Sequence, residues 1–265
     1  MSLLAIEHLN ITALGRPLVS DLSLSIGPGE RLGLIGESGS GKSLTALAAI
    51  GLLPRALTVS GSIRLSGAEV VGATDGTLNR LRGTMTATVF QEPLTALDPL
   101  LRVGAQIAEP LRRRAQRDGR AVDVQREVLA LLEQVAMPEP ARIMRAYPHE
   151  ISGGQRQRVA IAMALACKPQ LLIADEPTTA LDVTTQASIL KLLDGLVRER
   201  GMALLFISHD LPIVANIVDN VVVLQHGVAV ERGPVRQVFA APQHPYTRSL
   251  VAAARAFDAG LGRAA

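Results

Sequence analysis

Gly36-Glu37-Ser38-Gly39-Ser40-Gly41-Lys42-Ser43 is the stretch from which the rest of the chain can be placed. It has the form G-x-x-x-x-G-K-[ST], and its flanks suit the mechanism of that pattern. Arg31 to Gly36 reads as a short apolar strand, while Leu44 to Leu53 has the length and Ala/Leu content of a helix stopped by Pro54. Strand, glycine loop and helix in that order make a cradle for phosphate. The glycines let successive backbone N–H groups converge on phosphate oxygens, and the helix start adds its positive dipole end. Lys42 is then the side chain that reaches the β- and γ-phosphates of a nucleotide, and the Ser43 hydroxyl holds Mg²⁺. Lysine is scarce here, three residues against 24 arginines, so a motif that requires one stands out.

Working outward, Leu22, Leu24 and Ile26 alternate with Ser23 and Ser25 ahead of the turn Gly27-Pro28-Gly29, which predicts a half-buried antiparallel pair. Ser62 to Leu65 and Thr86 to Gln91 read as further strands. From Glu92 to about Glu150, prolines at 93, 99, 110, 138, 140 and 148 punctuate helical segments, and Val124, Val128, Leu131, Leu132 and Val135 share one helical face. Beyond it, strand-like runs at Leu171 to Ala174, Ala203 to Ser208 and Val221 to Gln225 alternate with helical patterns at Gly154 to Cys167, Val183 to Arg200 and Leu211 to Val218. Such alternation predicts a parallel sheet with helices on its faces. The expected fold is α/β, a phosphate-loop core with a mostly parallel sheet, an antiparallel β part and an inserted helical subdomain. The expected domain runs from 3 to 254, with 1–91 and 151–230 as core, 92–150 as the helical insertion and 231–265 as a tail, helical or loose.

Composition removes several functions. The chain has 265 residues, long enough for one large domain or a core with an inserted subdomain. Its longest nearly unbroken apolar run, Leu44 to Leu53, is half of the roughly 20 residues that span a bilayer. Glu7 and His8 interrupt the first apolar stretch, so no signal peptide is read and a cytoplasmic location is expected. One cysteine, Cys167, excludes an internal disulfide framework and a cysteine zinc cluster. A net charge of +3 demands no nucleic-acid partner. The arginines at 112, 113, 114, 117 and 120 read as a solvated helix end, since Asp118, Asp123 and Glu127 accompany them and aromatic residues are only 2% of the chain.

Two further sites complete the chemistry. Leu171-Leu172-Ile173-Ala174-Asp175-Glu176 is a buried strand ending in two adjacent carboxylates, and ligands in such sheets bind at the carboxyl ends of strands. Asp175 is the candidate for completing the Mg²⁺ shell, and Glu176 for acting on an attacking water. Ser152 is a good N-cap, and Gly153 and Gly154 bare the N–H groups of the helix that continues through Gln155, so this is a second helix end suited to an anion.

The run Ser152-Gly153-Gly154-Gln155-Arg156-Gln157-Arg158, with the cradle and the paired carboxylates, resembles the signature of ATP-binding-cassette ATPases. The resemblance covers nearly the whole chain. It implies a head-to-tail dimer in which Ser152, Gly153, Gly154 and Gln155 close on the γ-phosphate of ATP held by a partner subunit. It also implies that Gln91 contacts Mg²⁺ or water, that Thr179-Ala180-Leu181-Asp182 is a dimer-contact loop and that His209 touches the γ-phosphate. Ser208-His209-Asp210 is no hydrolase triad, because successive strand residues point to opposite faces. Gln91 to Pro99, Tyr147 to Glu150 and Pro242-Gln243-His244-Pro245-Tyr246-Thr247-Arg248 look like the ATPase subunits of peptide and nickel importers. Two transmembrane permease subunits and, indirectly, an extracytoplasmic substrate-binding protein are the implied partners, with the ATPase peripheral on the cytoplasmic face of the membrane. Peptide is the expected cargo; nickel or a metallophore is the alternative, and a soluble cassette ATPase of DNA repair or cofactor assembly is the alternative of another class. Where the family commonly stacks adenine on an aromatic residue, this chain has Leu14 beside Gly15, so binding dominated by phosphate contacts is expected.

Overall fold

The computed structural model describes residues 2–91, 96–179 and 181–260, with side chains to 256. The chain forms two compact units, Met1–Leu78 with Ala203–Ala265, and Asn79–Met202.

In the first unit, β1 (Leu4–Ala13) and β2 (Arg16–Ile26) form a hairpin. Its two-residue turn places Leu14 at φ 48° and Gly15 at φ 78°, the mirror-image turn that suits strand twist. Leu4, Ile6, Leu9 and Ile11 are buried, although their spacing changes parity. His8, at φ 51°, is where the register shifts, and this bulge returns the apolar side chains to the core. Asp21, at φ 49°, does the same for Val19 and Leu22, and its Oδ1 lies 2.7 Å from His8 Nδ1. The pair Leu22/Ile26 is fully buried and Leu24 nearly so, as the alternation predicts. With β4 (Leu57–Leu65) and β5 (Ala68–Glu69) the hairpin makes an antiparallel sheet of order β2-β1-β4-β5. The strand read at Ser62 to Leu65 thus begins earlier, at Leu57.

The same unit holds β3 (Arg31–Ile35), paired in parallel with both β8 (Ala203–Ser208) and β9 (Asn220–Gln225), and β10 (Val228–Pro234), antiparallel to β9. After β3 and the glycine loop comes α1 (Lys42–Ala49), shorter than the sequence pattern suggests. Gly51 takes a left-handed φ of 64° and donates to Ala48 O at 3.0 Å, while Leu52 N–H reaches Leu47 O at 2.8 Å. That double bond ends the helix before Pro54. The later helices are α8 (Leu211–Ile217), α9 (Val235–Ala240) and α10 (Pro245–Gly260), and the last two account for most of the described residues after β10.

The boundary at Leu78 falls inside α2 (Asp75–Leu81); in the second unit, β6 (Thr86–Val89) pairs in parallel with β7 (Leu171–Asp175). Between them lie only helices among the described residues: α3 (Val103–Asp118), α4 (Val124–Gln134), α5 (Pro140–Ile143), a 3-10 turn at Pro148–Glu150 and α6 (Gly153–Leu165). Val128, Leu131, Leu132 and Val135 are buried on one face of α4, while Val124 is only half-buried. Pro110 sits inside α3 rather than ending it. The buried Gln106 amide braces the approach to α3, donating to Asp98 O and Leu101 O and accepting from Asp98 N–H, each at 2.9 Å. After β7, α7 (Val183–Arg200) closes the unit. No helix among the described residues is long and apolar enough to cross a membrane.

Candidate functional site

The cradle is built by β3 and α1. A side chain at Gly36 would collide with the Leu224 carbonyl, and one at Gly41 would lie 2.9 Å from Val19 Cγ2, at left-handed φ values of 150° and 102°. Both positions therefore require glycine. The Lys42 side chain is only 5% exposed and folds back over its own loop, with Nζ donating to Gly36 O at 2.7 Å and Glu37 O at 2.8 Å. Gly41 is the N-cap of α1 and offers no side chain to its first turn. The Ser40 hydroxyl is buried and has no hydrogen-bond partner among the described residues. A buried cation, an uncapped helix start and an orphaned hydroxyl in one loop fit a polyanionic ligand such as the phosphates of ATP. Among the described residues no cluster of three or more His, Cys, Asp or Glu could hold a metal ion by itself. A divalent cation here would need ligand oxygens to complete its shell, the usual behaviour of Mg²⁺ with phosphate.

Two more predicted residues lie in this unit. His209 is exposed just after β8; Asp210 caps α8 by accepting from Ile213 N–H at 3.2 Å and donates its own N–H to Ser208 Oγ at 3.0 Å. Asp210 is thus the N-cap of α8, and the Ser208 hydroxyl holds the Asp210 N–H. Leu14 stands at the hairpin tip, fully exposed at 103%.

In the second unit, β7 delivers the carboxylate pair. Leu171, Leu172, Ile173 and Ala174 are fully buried and Asp175 is 7% exposed. Glu176 turns to φ 45°, a conformation costing about 1–3 kcal/mol for a residue with a side chain. Burying each of Leu171, Leu172 and Ile173 contributes about 1.5–3 kcal/mol, so the strand readily sustains that strain. The turn breaks the strand's alternation where the two acids would otherwise point to opposite faces. Thr179, which opens the run read as a dimer-contact loop, donates its hydroxyl to Glu176 Oε2 at 3.0 Å, and its N–H to Glu176 O at 3.2 Å. Gln91 is exposed, two residues after β6. Glu92, Pro93, Leu94, Thr95 and Ala180, parts of the runs read as family motifs, lie outside the described residues.

The signature helix end is also in this unit. Ser152 Oγ accepts from Gln155 N–H at 3.3 Å, and Gln155 Oε1 accepts from Ser152 N–H at 2.9 Å, a reciprocal cap. Ser152 and Gly153 face solvent. Gly154 has a packing reason to be glycine, since its Cβ would lie 2.5 Å from Thr185 Cγ2. Asp182 caps α7, its carboxylate accepting from Thr185 N–H at 2.9 Å and Thr184 Oγ1 at 2.8 Å. Hydrogen bonds from Thr185 and then Thr184 pull its carboxyl down to about 2.

The arginine group on α3 is largely engaged with acids: Arg113 with Glu109, Arg114 with Glu127 and Arg117 with Asp118. Arg113 and Arg117 fit a solvated helix end, whereas the Arg114 side chain is only 11% exposed and also donates to Ala166 O, so it is a packed group.

These features agree with known proteins. The family described as ABC transporter matches residues 19–179. The glutathione import ATP-binding protein GsiA of Escherichia coli K12 is 48% identical over 265 residues, covering 95% of this chain; the chain spans 42% of that relative's length. The dimeric post-hydrolysis structure of the ATP-binding cassette MJ0796 bound to ADP and Pi superposes with a TM-score of 0.77 at 28% identity, over 88% of this chain and 99% of that one. The structure of cbiO1 from Clostridium perfringens, part of the ABC transporter complex cbiONQ, gives 0.75 at 27% identity over 91% of each chain. With more than half of its length matched and its cradle, paired carboxylates and signature helix in family order, the chain belongs to the ABC transporter family.

Proposed function

We propose that this chain is the ATP-binding and ATP-hydrolysing part of an importer that moves peptides through separate permease subunits. The observation that carries the nucleotide assignment is the Lys42 ammonium, buried in a loop whose Gly36 and Gly41 admit no side chain. The likeness to a glutathione import protein supports a peptide cargo, glutathione being a tripeptide.

Each residue has a task that follows from its chemistry. The backbone of Gly36, Glu37, Ser38, Gly39, Ser40 and Gly41 wraps the phosphates, and Lys42 exchanges its two loop carbonyls for phosphate oxygens. Ser43, Gln91 and Asp175 are the proposed Mg²⁺ ligands; bound with ATP, that ion neutralises charge on the phosphate oxygens. Glu176 orients water or takes its proton, and His209 and Gln91 sense the γ-phosphate. Leu14 gives the base apolar contact in place of a ring.

In a head-to-tail dimer, Ser152, Gly153, Gly154 and Gln155 of one subunit face the ATP of the other, with Asp182 beside the dimer contact. The dimeric state of MJ0796 with ADP and Pi supports this arrangement. The ATPase then works at the cytoplasmic face, with a substrate-binding protein acting on the far side and no nucleic acid involved.

Coexpression with the permease chains of its own gene neighbourhood, followed by reconstitution in vesicles, tests the reading. ATP on the cassette side should drive uptake of labelled glutathione or another short peptide. Uptake of Ni²⁺ in its place, or ATP hydrolysis by a chain that binds no permease, would contradict it.

A further inference from the structure

The phosphate cradle is tied to a residue more than two hundred positions away. Glu37 N–H, inside the cradle, donates to the Tyr246 hydroxyl at 2.9 Å. The same peptide unit, Gly36–Glu37, presents its carbonyl to Lys42 Nζ at 2.7 Å. One peptide plane is therefore held at both ends, by the tyrosine on its N–H and by the catalytic-loop lysine on its oxygen. The hold matters here because a glycine precedes it: Gly36 has no side chain to restrict rotation, and such planes turn easily.

Tyr246 is itself fixed. It is 9% exposed at the start of α10, and its N–H donates to His244 Nδ1 at 3.3 Å. The Glu231 carboxylate on β10 accepts the N–H groups of Gln243 at 2.8 Å and His244 at 2.9 Å. Ser249 Oγ donates to Tyr246 O at 2.8 Å. All of these groups belong to the first unit, and they run from the strand through the Pro242–Arg248 segment to the loop.

We propose that Tyr246 is a positioning residue for nucleotide binding, holding the Gly36–Glu37 peptide in the orientation from which Lys42 can be handed to phosphate. The proposal rests on the reading of the loop as the ATP site. Tyr246 does not act on the reacting atoms. When Lys42 leaves the Gly36 carbonyl for an incoming phosphate, the tyrosine keeps that carbonyl from turning after it, so the loop N–H groups stay where the phosphate meets them. Burial pushes the phenol upward, so the group that accepts from Glu37 is a neutral hydroxyl at ordinary pH.

Tyr246→Phe removes only the acceptor oxygen. One hydrogen bond in such a place corresponds to a change of about threefold to tenfold. The variant should raise KM for ATP, and Kd for ADP, by about that factor, with kcat within about twofold of the parent. A purely structural tyrosine would lower thermal stability and leave KM alone. Amide hydrogen exchange on the unmodified chain gives a second reading: the Glu37 amide should be protected without nucleotide, and its fast exchange would overturn the proposal whether or not the variant folds. Wild-type binding of ADP, with loss in Lys42→Ala, separates the two levels. If the wild type does not bind, the nucleotide reading fails; if it binds and Tyr246→Phe binds equally well, the nucleotide reading stands and the role of Tyr246 is refuted.

Discussion

Ser152 and Gln155 satisfy each other: the serine hydroxyl takes the glutamine N–H at 3.3 Å and the glutamine side chain takes the serine N–H at 2.9 Å. The signature serine therefore has a structural task in its own chain before any partner approaches. The two tasks differ in size and can be separated.

Ser152→Ala should cost about 1 kcal/mol of stability, the usual price of a lost N-cap. For a chain of this size that lowers Tm by roughly 2–4 °C, measured by calorimetry. Turnover of ATP at concentrations that allow pairing should fall by at least about tenfold, well beyond what so small a stability loss explains. A variant that loses the few degrees and keeps its turnover would confine Ser152 to capping.

Leu14 is fully exposed on the hairpin tip, with no aromatic ring to offer a base. The chain should hydrolyse ATP and GTP with kcat/KM values within about threefold of each other. Stacking contributes about 1–3 kcal/mol per base in nucleic-acid sites, so Leu14→Tyr should tighten ATP binding by roughly fivefold or more. Titration with both nucleotides decides the matter, and strong rejection of GTP by the parent would place the base against other residues.

How legible these features were depended on distance along the chain. The cradle and the Leu171–Glu176 strand are contiguous, so residue type and spacing were enough to find them. The end of α1 was misplaced because Gly51, inside an Ala/Leu-rich run, closes the helix by a left-handed turn before the more obvious Pro54. The first half of β4, Leu57-Thr58-Val59-Ser60, alternates apolar with polar side chains, a signal that could have extended the strand back past Gly61. Ser152 was readable as a cap, and the Gln three places later is the signal that could have revealed the reciprocal pair. Nothing local marks the left-handed Glu176, and the run that holds Thr179 points to a dimer contact rather than to the hydrogen bond with Glu176. The Tyr246 contact joins residues 209 positions apart, and only the folded chain brings them together.

Asp182 gives a pH dependence. Its carboxyl is drawn from the ordinary 3.8 to about 2 by the Thr185 and Thr184 hydrogen bonds. A group lowered on folding stabilises the folded state above its unfolded value and loses that contribution as pH falls through the folded value. The stability advantage of the parent over Asp182→Asn should thus be constant above about pH 5 and shrink between about pH 4 and pH 2. Denaturant titrations at several pH values check this, and an advantage unchanged down the series would show that the charge contributes nothing to the cap.

The account turns on Glu176 as the group that activates water, and the most direct measurement is single-site: Glu176→Gln assayed for ATP binding, phosphate release and association state together. The substitution keeps the size of the side chain and removes its basicity. Binding of ATP should stay within about threefold of the parent, phosphate release should fall by at least about a hundredfold, and ATP should shift the chain to a stable dimer in sedimentation. Phosphate release at the parental rate, with no ATP-dependent dimer, would contradict the assignment of both the base and the paired site.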